Sequence, residues 1–380
     1  MELKEYRFDE VTINFDKKRV PLSGAQREKR QGNFRYYGAQ GVIDHIDDFI
    51  FDGTYLLIAE DGENLKSKKQ NIAQVVEGQF WVNNHAHIVQ GNELCNTRYL
   101  CYLLNSMDLS GYVTGSAQPK LSQANLNAVT LFLPSITVQE RIVECLYLFD
   151  KKIAVNQKIN DNLEQQARAY FQELFVDNSD SAWTLGTVSD LGAVVGGSTP
   201  SKSKPEYYTE DGIAWITPKD LSINKAKFIS HGENDITELG LKNSSASIMP
   251  EGTVLFSSRA PIGYIAIASG EVTTNQGFKS VVPKPEIGTA YVYYFLKYNL
   301  PVIEGMASGS TFKEVSGSTM KNVPAVIPDT ETLACFNDFC TPIFAQQRIL
   351  EEQNQSLAAL RDSLLPKLMS GEIDVSDIQL

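Results

Sequence analysis

The stretch WVNNHAHIV (residues 81–89) holds His85 and His87, two of the four histidines in the chain. Side chains two residues apart on a strand share one face, and imidazole is a common zinc ligand. Only His45 and His231 remain elsewhere, and no acidic residue stands at a spacing that would complete a zinc site. We therefore predict no metal site and interpret the pair as structural or surface polar residues, with phosphate contact as the remaining alternative.

Neither the glycine-rich stretch of the chain nor a search for methyltransferase motifs indicates a catalytic site. The stretch GAVVGGSTPSK (192–202) has the spacing of a phosphate-binding loop, but Ser198 stands where the phosphate-binding lysine belongs, so we expect a glycine-rich turn leaving a strand. No (N/D)PP(Y/F/W) or GxGxxG motif is present, and the five cysteines form no CxxC pair, so we interpret them as reduced thiols. We predict that this chain binds no cofactor and catalyses no reaction.

Basic residues, amides and aromatic residues cluster in both halves of the chain. Residues 16–35 carry seven basic and two acidic side chains and lead into YYGAQG. Lysine and arginine suit phosphates, and amide or guanidinium groups suit base edges. The candidate DNA contacts are Arg27, Lys29, Arg30, Arg35, Tyr36 and Gln40 in the first half, and Lys202, Lys204, Lys219, Arg259, Gln276 and Lys279 in the second. The alternative for each of them is an ordinary solvated surface residue.

The charge distribution leaves room for such patches, although the 380-residue chain has a net charge of −12. Residues 1–135 and 181–330 carry only −2 each, and residues 136–180 and 331–380 hold the rest. The first residues, MELKEYRFDE, lack the apolar core of a signal peptide, and no apolar run approaches the roughly 18 residues of a membrane span. We expect a cytoplasmic protein with no membrane partner.

The elements that must position these residues occur twice. Residues 115–134 and 309–328 align without a gap, with five of twenty positions identical. Beyond each copy, apolar residues recur at alternating steps of four and three, with the same offset of 194 residues, which is typical of a coiled-coil seam. The predicted inter-helix packing residues are Ile142, Leu146, Ile153, Asn156, Leu163, Ile343, Leu350, Asn354, Leu357 and Leu364.

The repeat predicts how the two helices pair. A helix from about 138 to 175 is roughly 55 Å long. If the two seams bury each other, the second helix must run antiparallel to the first, and residue i should face residue 510 − i. This rule places Asn156 opposite Asn354. Buried asparagine pairs set the register of coiled coils at some cost in stability.

Four stretches together resemble the specificity subunit of type I restriction-modification systems. They are GGSTPSKSKPEYYTEDGIAWITPKDLS (196–222), VTTNQGFKSVVP (272–283), LPSITVQERIVECL (133–146) and LRDSLLPKLMSGEIDV (360–375). One departure is visible, because the second half has IPDTETLACFNDF where the first has LPSITVQERIVEC, so Gln139 and Ile142 lack counterparts of the same type. A partner contact at that place would be one-sided.

The resemblance implies an α+β fold, in which two mixed α/β target-recognition domains are separated by two long antiparallel coiled-coil helices in a tandem pseudo-twofold repeat. The implied boundaries are 1–137 for the first target-recognition domain, 138–180 for the first spacer helix, 181–331 for the second domain and 332–380 for the second helix.

The same resemblance implies a non-catalytic protein that recognises an interrupted, two-part site in double-stranded DNA and docks two methylation subunits and the restriction subunits. S-adenosylmethionine, ATP and Mg²⁺ are then expected on those partner subunits. Two other classes remain open: a helical protein-interaction scaffold that reads no DNA sequence, and a stand-alone nuclease or methyltransferase.

Overall fold

The computed structural model describes residues 2–67, 70–115, 118–309 and 313–375. Contacts group the chain into two compact units: unit 1 comprises Met1–Ile153 with Ser356–Leu380, and unit 2 comprises Ala154–Gln355. Part of the sequence repeat, namely 116–117 and 310–312, lies outside the described residues.

Unit 1 is built around a mixed six-stranded sheet with the order β2-β7-β5-β6-β3-β4. Its strands, with the separate pair β1 and β8, are β1 (Lys4–Arg7), β2 (Thr12–Asn14), β3 (Gln31–Gly38), β4 (Gly41–Ile46), β5 (Phe51–Ala59), β6 (Ala73–Val82), β7 (Ala86–Gly91) and β8 (Thr130–Leu133). Its helices are α1 (Gly24–Glu28), α2 (Asn64–Ser67), α3 (Thr97–Ser106), α4 (Gln123–Asn127) and the first part of α5 (Ile136–Gln172). The β5 sequence alternates little and ends in LLIA, as expected for a strand buried on both faces.

Unit 2 has a five-stranded sheet, β10-β18-β15-β16-β13, and a four-stranded sheet, β11-β14-β12-β17. The strands, with the separate pair β9 and β19, are β9 (Thr184–Thr187), β10 (Gly192–Gly196), β11 (Tyr208–Thr209), β12 (Ile213–Ile216), β13 (Phe228–Ile229), β14 (Asn234–Ile236), β15 (Val254–Ser258), β16 (Ile262–Ala268), β17 (Thr273–Thr274), β18 (Lys279–Pro283) and β19 (Pro324–Ile327). The helices are α6 (Val188–Leu191), α7 (Pro218–Ile223), α8 (Glu238–Lys242), α9 (Thr289–Tyr298), α10 (Leu300–Gly305), α11 (Gly317–Lys321) and α12 (Thr330–Ser370), of which the end belongs to unit 1.

The sequence repeat corresponds to the same local structure in each unit. Ser122 and Ser316 cap the short helices α4 and α11, each accepting a hydrogen bond from the backbone N–H three residues on. The strands that follow, β8 and β19, pair antiparallel with the first strand of their own unit, β1 or β9, and then lead into a long helix. The same helix cap, strand pair and start of a long helix thus occur twice, 194 residues apart. They form the connection between the strands of each unit and the long helix that follows.

In unit 1, α5 and α12 pack against each other and against the strands and shorter helices of that unit. Ile142, Leu146 and Leu368 are almost fully buried in one apolar cluster with residues of α3 and β8. Arg361 of α12 donates to Asp150 of α5 at 2.6 Å, which agrees with the 510 − i register to within one residue.

In unit 2, contacts between α5 and α12 show that the helices are antiparallel. Asn156 Nδ2 donates to Asn354 Oδ1 at 2.9 Å, and further along α5 the ring of Tyr170 lies 4.6 Å from that of Phe339. Residue numbers rise along α5 as they fall along α12. The asparagine contact is the pairing that the register rule predicted, and Asn156 is fully buried.

The remaining packing residues lie along the same seam. Ile343 and Leu350 are buried, and Ile153, Leu163, Leu357 and Leu364 are half-buried. The seam is thus most buried toward its two ends, where other elements of each unit pack on it, and is more exposed around Asn156 and Asn354.

The segments that follow the two long helices also enter the cores. In unit 1, Val375 is 4 % exposed and packs with Ile373 against the same apolar cluster as α3. In unit 2, α5 continues into a wider helical turn, Glu173–Asp177, from which Phe175 contacts Tyr291 and Phe336. Each unit therefore depends on the residues just beyond the end of a long helix.

A buried lysine joins the five-stranded sheet of unit 2 to both long helices. Lys227 immediately precedes β13, and only 6 % of its side chain is exposed. Its ammonium group forms an ion pair with Glu164 of α5, donates to Gln347 Oε1 of α12 at 2.7 Å, and lies 3.3 Å from the hydroxyl of Tyr294.

Aromatic rings and a second carboxylate complete this cluster. The Lys227 ammonium lies 4.3 Å from the ring centre of Phe344, 4.9 Å from that of Tyr293 and 5.3 Å from that of Tyr294, all favourable for cation–π attraction. Glu351 of α12 accepts the backbone N–H groups of Lys227 and Phe228 at 2.9 and 3.0 Å. The edge of the sheet is thus hydrogen-bonded directly to a long helix.

The charges of this cluster predict an acid-sensitive step in the unfolding of unit 2. Burial opposes ionisation of Glu164, but its lysine partners, Lys227 and Lys297, outweigh burial and lower its pKa to about 2. A carboxylate with a lowered pKa stabilises the fold above its ordinary pKa of 4.5, and this contribution is lost as the pH falls toward 2. Burial raises the pKa of Glu351, so that group has the opposite effect.

We expect Glu164→Gln to flatten this pH dependence. Between pH 5 and pH 3, the free energy of unfolding of unit 2 should fall by about 2 kcal/mol less in the variant than in the wild type. Urea unfolding at each pH measures this difference, which Glu351 partly reduces, because the Glu164 charge helps to raise the pKa of Glu351 and is absent from the variant. Equal pH slopes in the two proteins would contradict the prediction.

Candidate nucleic-acid interface

Unit 2 has a surface cleft of about 440 Å³ between loops that follow its strands. Four of the predicted DNA contacts line it: Lys202, Lys219, Arg259 and Gln276. They come from four separate segments of the chain, after β10, within α7, after β15 and between β17 and β18. The fold thus brings together residues up to 74 positions apart in sequence.

Capping and a close backbone contact fix the loops around this cleft. Thr217 caps α7 through its hydroxyl and backbone N–H, which donate to Asp220 at 2.6 and 2.7 Å, and this cap orients Lys219. A Cβ at Gly197 would lie 2.1 Å from the carbonyl oxygen of Asn275, so only glycine permits this approach. The stretch GAVVG is therefore strand β10, whereas the predicted turn at the glycines is not seen, because Gly197 lies beside Thr274 and Asn275 and the turn comes at Lys202 and Ser203.

Local ion pairs hold the cations of the cleft in place. Arg259 and Lys279 both contact Glu314, at 3.5 and 3.7 Å. Lys219 pairs with Glu233, whereas Lys202 is exposed and forms no ion pair with the described residues. Guanidinium, ammonium and amide groups meet here at one surface, which suits phosphates and base edges.

The other two predicted contacts of unit 2 do not line the cleft. Lys279 lies beside it, is largely buried, and has a pKa lowered by that burial, against the effect of Glu314. Lys204 is exposed and stands 3.8 Å from Glu206.

In unit 1, Tyr36 is fully buried, so the prediction that it contacts DNA is wrong. Its hydroxyl accepts the backbone N–H of Leu22 at 2.8 Å, and the guanidinium of Arg27 lies 5.2 Å from its ring centre. Arg27 also pairs with Asp44 at 2.8 Å. These two residues fasten the segment before β3 to the sheet.

The other arginines of this basic stretch also have intramolecular partners. Arg30 pairs with Asp47 at 2.9 Å and lies 5.0 Å from the ring centre of Trp81. Arg35 donates to the backbone carbonyl of Glu77 at 2.6 Å. Lys29 alone of the predicted unit 1 cations is exposed and without an ion pair to the described residues. Of the seven basic side chains in this run, Arg19, Arg27 and Arg30 are therefore paired with carboxylates of unit 1.

Gln40 lies in the turn between β3 and β4, where its side chain is exposed and donates to Asn64 Oδ1 at 3.2 Å. It remains available at the surface, next to a segment with few positive charges.

Sequence analysis missed a reversal of charge at equivalent positions of the two units. An isolated backbone bridge joins Asp61 to Lys120 in unit 1, and another joins Arg259 to Glu314 in unit 2. Lys120 and Glu314 are 194 residues apart, which is the repeat offset. The basic residue of the bridge lies in the repeat of unit 1 (Lys120), whereas the acidic residue lies in the repeat of unit 2 (Glu314). The aligned repeat, with K in one copy and E in the other, already showed this difference.

The histidines of the metal candidate do not converge. His87 is buried, and its two ring nitrogens contact Asp16 Oδ2 at 2.6 Å and the carbonyl oxygen of Leu121 at 2.8 Å, so neither is available to a metal ion. His85 lies in the preceding turn and contacts Asp61 at 2.7 Å. No cluster of three or more potential ligand side chains occurs in the described ranges.

Among the helices that the structure describes, none is both long enough and apolar enough to cross a bilayer.

Comparison with known proteins gives a consistent result. The family description "Type I restriction modification DNA specificity domain" matches residues 2–165 and 180–360. The type I restriction enzyme MjaIX specificity subunit of Methanocaldococcus jannaschii is 41 % identical over 191 residues, which cover 48 % of this chain and 44 % of that relative. The HindI specificity subunit of Haemophilus influenzae is 24 % identical over 404 residues, covering 85 % of this chain and 84 % of that protein.

A solved structure has a similar fold. The crystal structure of the type I restriction-modification system S subunit from M. genitalium matches with a TM-score of 0.56 at 15 % identity, covering 97 % of this chain and 96 % of that one.

Proposed function

This chain belongs to the family of type I restriction-modification DNA specificity domains, and we propose that it recognises an interrupted, two-part site in double-stranded DNA, one half-site for each unit. Two diverged sheet units on a repeated helical frame suit two different half-sites. The protein-interaction scaffold is less well supported, because a scaffold made of long helices would not need two such units.

The cleft of unit 2 carries this proposal. It gathers Lys202, Lys219, Arg259 and Gln276 at one surface, and these are the side-chain types that contact phosphates and purine edges. In unit 1, we propose that Lys29 and Gln40 contribute to the corresponding surface, whereas Arg27, Arg30 and Arg35 act mainly within the unit. Lys204 and Lys279 would contribute positive potential beside the unit 2 cleft.

Catalysis belongs to partner subunits in this proposal. Two methylation subunits would bind around the helical frame and hold S-adenosylmethionine, and restriction subunits would join through that complex with ATP and Mg²⁺. This chain would supply sequence recognition in the cytoplasm. We further propose that α5 and α12, with their register fixed by Asn156 and Asn354, set the distance between the two half-sites.

An electrophoretic mobility assay with and without co-expressed methylation subunits tests the function. We expect weak, salt-sensitive binding by the isolated chain, because a net charge of −12 gives little long-range attraction to DNA, and sequence-specific binding by the complex. Competition with random duplex is the control for specificity.

Three outcomes would count against the proposal in different ways. Absence of specific binding by the complex would favour the scaffold, and nuclease or methyltransferase activity of the isolated chain would favour an enzyme. Nanomolar specific binding by the isolated chain at about 0.15 M salt would remove the need for the partner.

A further inference from the structure

The strand β13 is the edge of the five-stranded sheet, and it contacts the long helices through polar and charged groups as well as through the rings of Phe228 and Phe344. Lys227, just before this strand, meets Glu164 of α5 and Gln347 of α12, while Glu351 of α12 accepts the N–H groups of the strand. We define Lys227, Glu164, Gln347 and Glu351 as the lysine lock.

We propose that Lys227 is a positioning residue, which holds the sheet of unit 2 at a single orientation on the long helices and thereby restricts the spacer length between the DNA half-sites. This inference rests on the proposed function, because it assumes that unit 2 reads one half-site.

A charged contact depends more strongly on the positions of its partner atoms than an apolar contact does. An ammonium group that leaves water is stabilised only when its hydrogen-bond partners and counter-charge are correctly placed. Because the partners of Lys227 lie on both helices, a shift of the sheet along either helix would separate the ammonium from at least one of them. The apolar contacts between sheet and helices in the same unit are less directional, because they require no particular partner atom.

The surrounding rings strengthen the requirement. Tyr293, Tyr294 and Phe344 lie within 5.3 Å of the ammonium, and only 6 % of the lysine side chain is exposed, at the wall of a cavity of about 380 Å³. Removal of the charge does not remove the packing, because the aliphatic stem of the side chain can still fill this space. The effect on orientation is therefore measured as a change in preference between spacers, which a general loss of stability would not alter.

Unit 1 is attached to the helices by a different arrangement. There, Tyr102 of α3 donates to Asp150 of α5, and the cation that pairs with Asp150 is Arg361 of α12. The cation belongs to the helix pair itself and not to the sheet unit. Arg98 of α3 lies 4.3 Å from the ring centre of Tyr147 of α5, but its side chain is 23 % exposed and its ion pair is with Glu77 of β6. Among the described residues, an almost fully buried cation paired with a helix carboxylate thus distinguishes the unit 2 attachment.

DNA geometry gives the expected consequence. One additional base pair in the spacer moves a half-site by about 3.4 Å along the duplex and rotates it by about 35°. A sheet held in one orientation cannot follow this change, whereas a sheet held only by apolar packing can partly follow it.

The test uses the chain assembled with its methylation subunits. Sequencing of methylated positions in DNA from cells making the wild-type complex gives its site, and duplexes are then made with that spacer and with spacers one base pair longer and shorter. We expect Lys227→Met to reduce the preference for the native spacer about tenfold, equivalent to a single well-placed charged hydrogen bond, and to lower thermal stability, because Glu164 keeps only Lys297 as a cationic partner. Lys225→Met is the matched control, since Lys225 lies in the same loop with its ammonium 4.4 Å from the Tyr264 ring and should leave the preference unchanged.

Each outcome supports or contradicts the proposed role of Lys227. If the wild type prefers one spacer and Lys227→Met retains the same preference, or loses affinity equally for all three duplexes, Lys227 is merely structural and the inference is wrong. If Lys227→Met does not fold, Glu164→Gln takes its place, because glutamine keeps the size of the side chain and removes the negative charge that pairs with Lys227, and the same two results apply. A wild-type complex with no site-specific binding would instead overturn the proposed function and the lock with it.

Discussion

The double substitution Arg259→Ala, Gln276→Ala is expected to lower the affinity of the assembled complex for its specific duplex about 100-fold, because each base-edge contact contributes about 1–3 kcal/mol. Both side chains line the unit 2 cleft. The fold should survive, because Lys279 remains 3.7 Å from Glu314 when Arg259 is removed. Titration of specific and random duplexes at one fixed salt concentration measures the effect.

The pattern of the loss identifies its cause. Specific affinity should fall much more than affinity for random duplex, and only one half-site should tolerate new bases. Lys242→Ala is the control, since this exposed lysine of α8 pairs with Glu238 outside the cleft. A uniform loss for all duplexes would show that the two residues contact only phosphates, and no loss would remove them from the interface.

Phe336→Ala is expected to destabilise unit 2 by about 3–5 kcal/mol, the usual cost of truncating a buried phenylalanine. Phe336 of α12 is fully buried, with its ring centre 5.1 Å from that of Phe175, 5.8 Å from Phe171 and 6.1 Å from Tyr294. The cavity would lie where α5, α9 and α12 meet, and these three helices cannot close it without moving apart from their other contacts.

Urea unfolding, with amide exchange of α9 peptides as the probe of unit 2, measures this loss. Phe339→Ala is the matched control, because this residue one turn away is 39 % exposed and contacts only the Tyr170 ring among the aromatic residues described. Its cost should stay near 1 kcal/mol, as expected for a partly exposed side chain. Similar losses in the two variants would mean that the aromatic cluster is loosely packed.

Local periodicity was sufficient to predict the helical frame. The steps of four and three residues and the common 194-residue offset led to the antiparallel pair and to the contact between Asn156 and Asn354. The steps of four and three depend on neighbours within two helical turns, and the offset is visible by comparing the two halves, so the sequence alone contains both signals.

The candidate interface was predictable only in part. Lys202, Lys219, Arg259 and Gln276 were selected by side-chain type, and the fold brings them together. Tyr36 has the same chemical type as a base-stacking residue, yet it is buried, because the sheet faces are decided by strand pairing over long sequence distances.

Lys227, in contrast, was not selected from the sequence, although the structure shows it to be buried and paired. Nothing in its neighbours marks it as buried, since its partners lie 63 positions before it and 120 positions after it along the chain.

The packing of Ile373 and Val375 into unit 1 has a consequence for synthesis of the protein on the ribosome. Unit 2 is one continuous stretch, Ala154–Gln355, and can complete its core as soon as that stretch has emerged. Unit 1 is translated first but needs α12 beyond Ser356 to cover Ile142 and Leu146, so its apolar helix face stays uncovered while the whole of unit 2 is made. Unit 2 can therefore complete its core before unit 1, although unit 1 is made first, which reverses the usual order of folding from the N-terminus. Until then the nascent chain carries an exposed apolar surface that a chaperone would recognise.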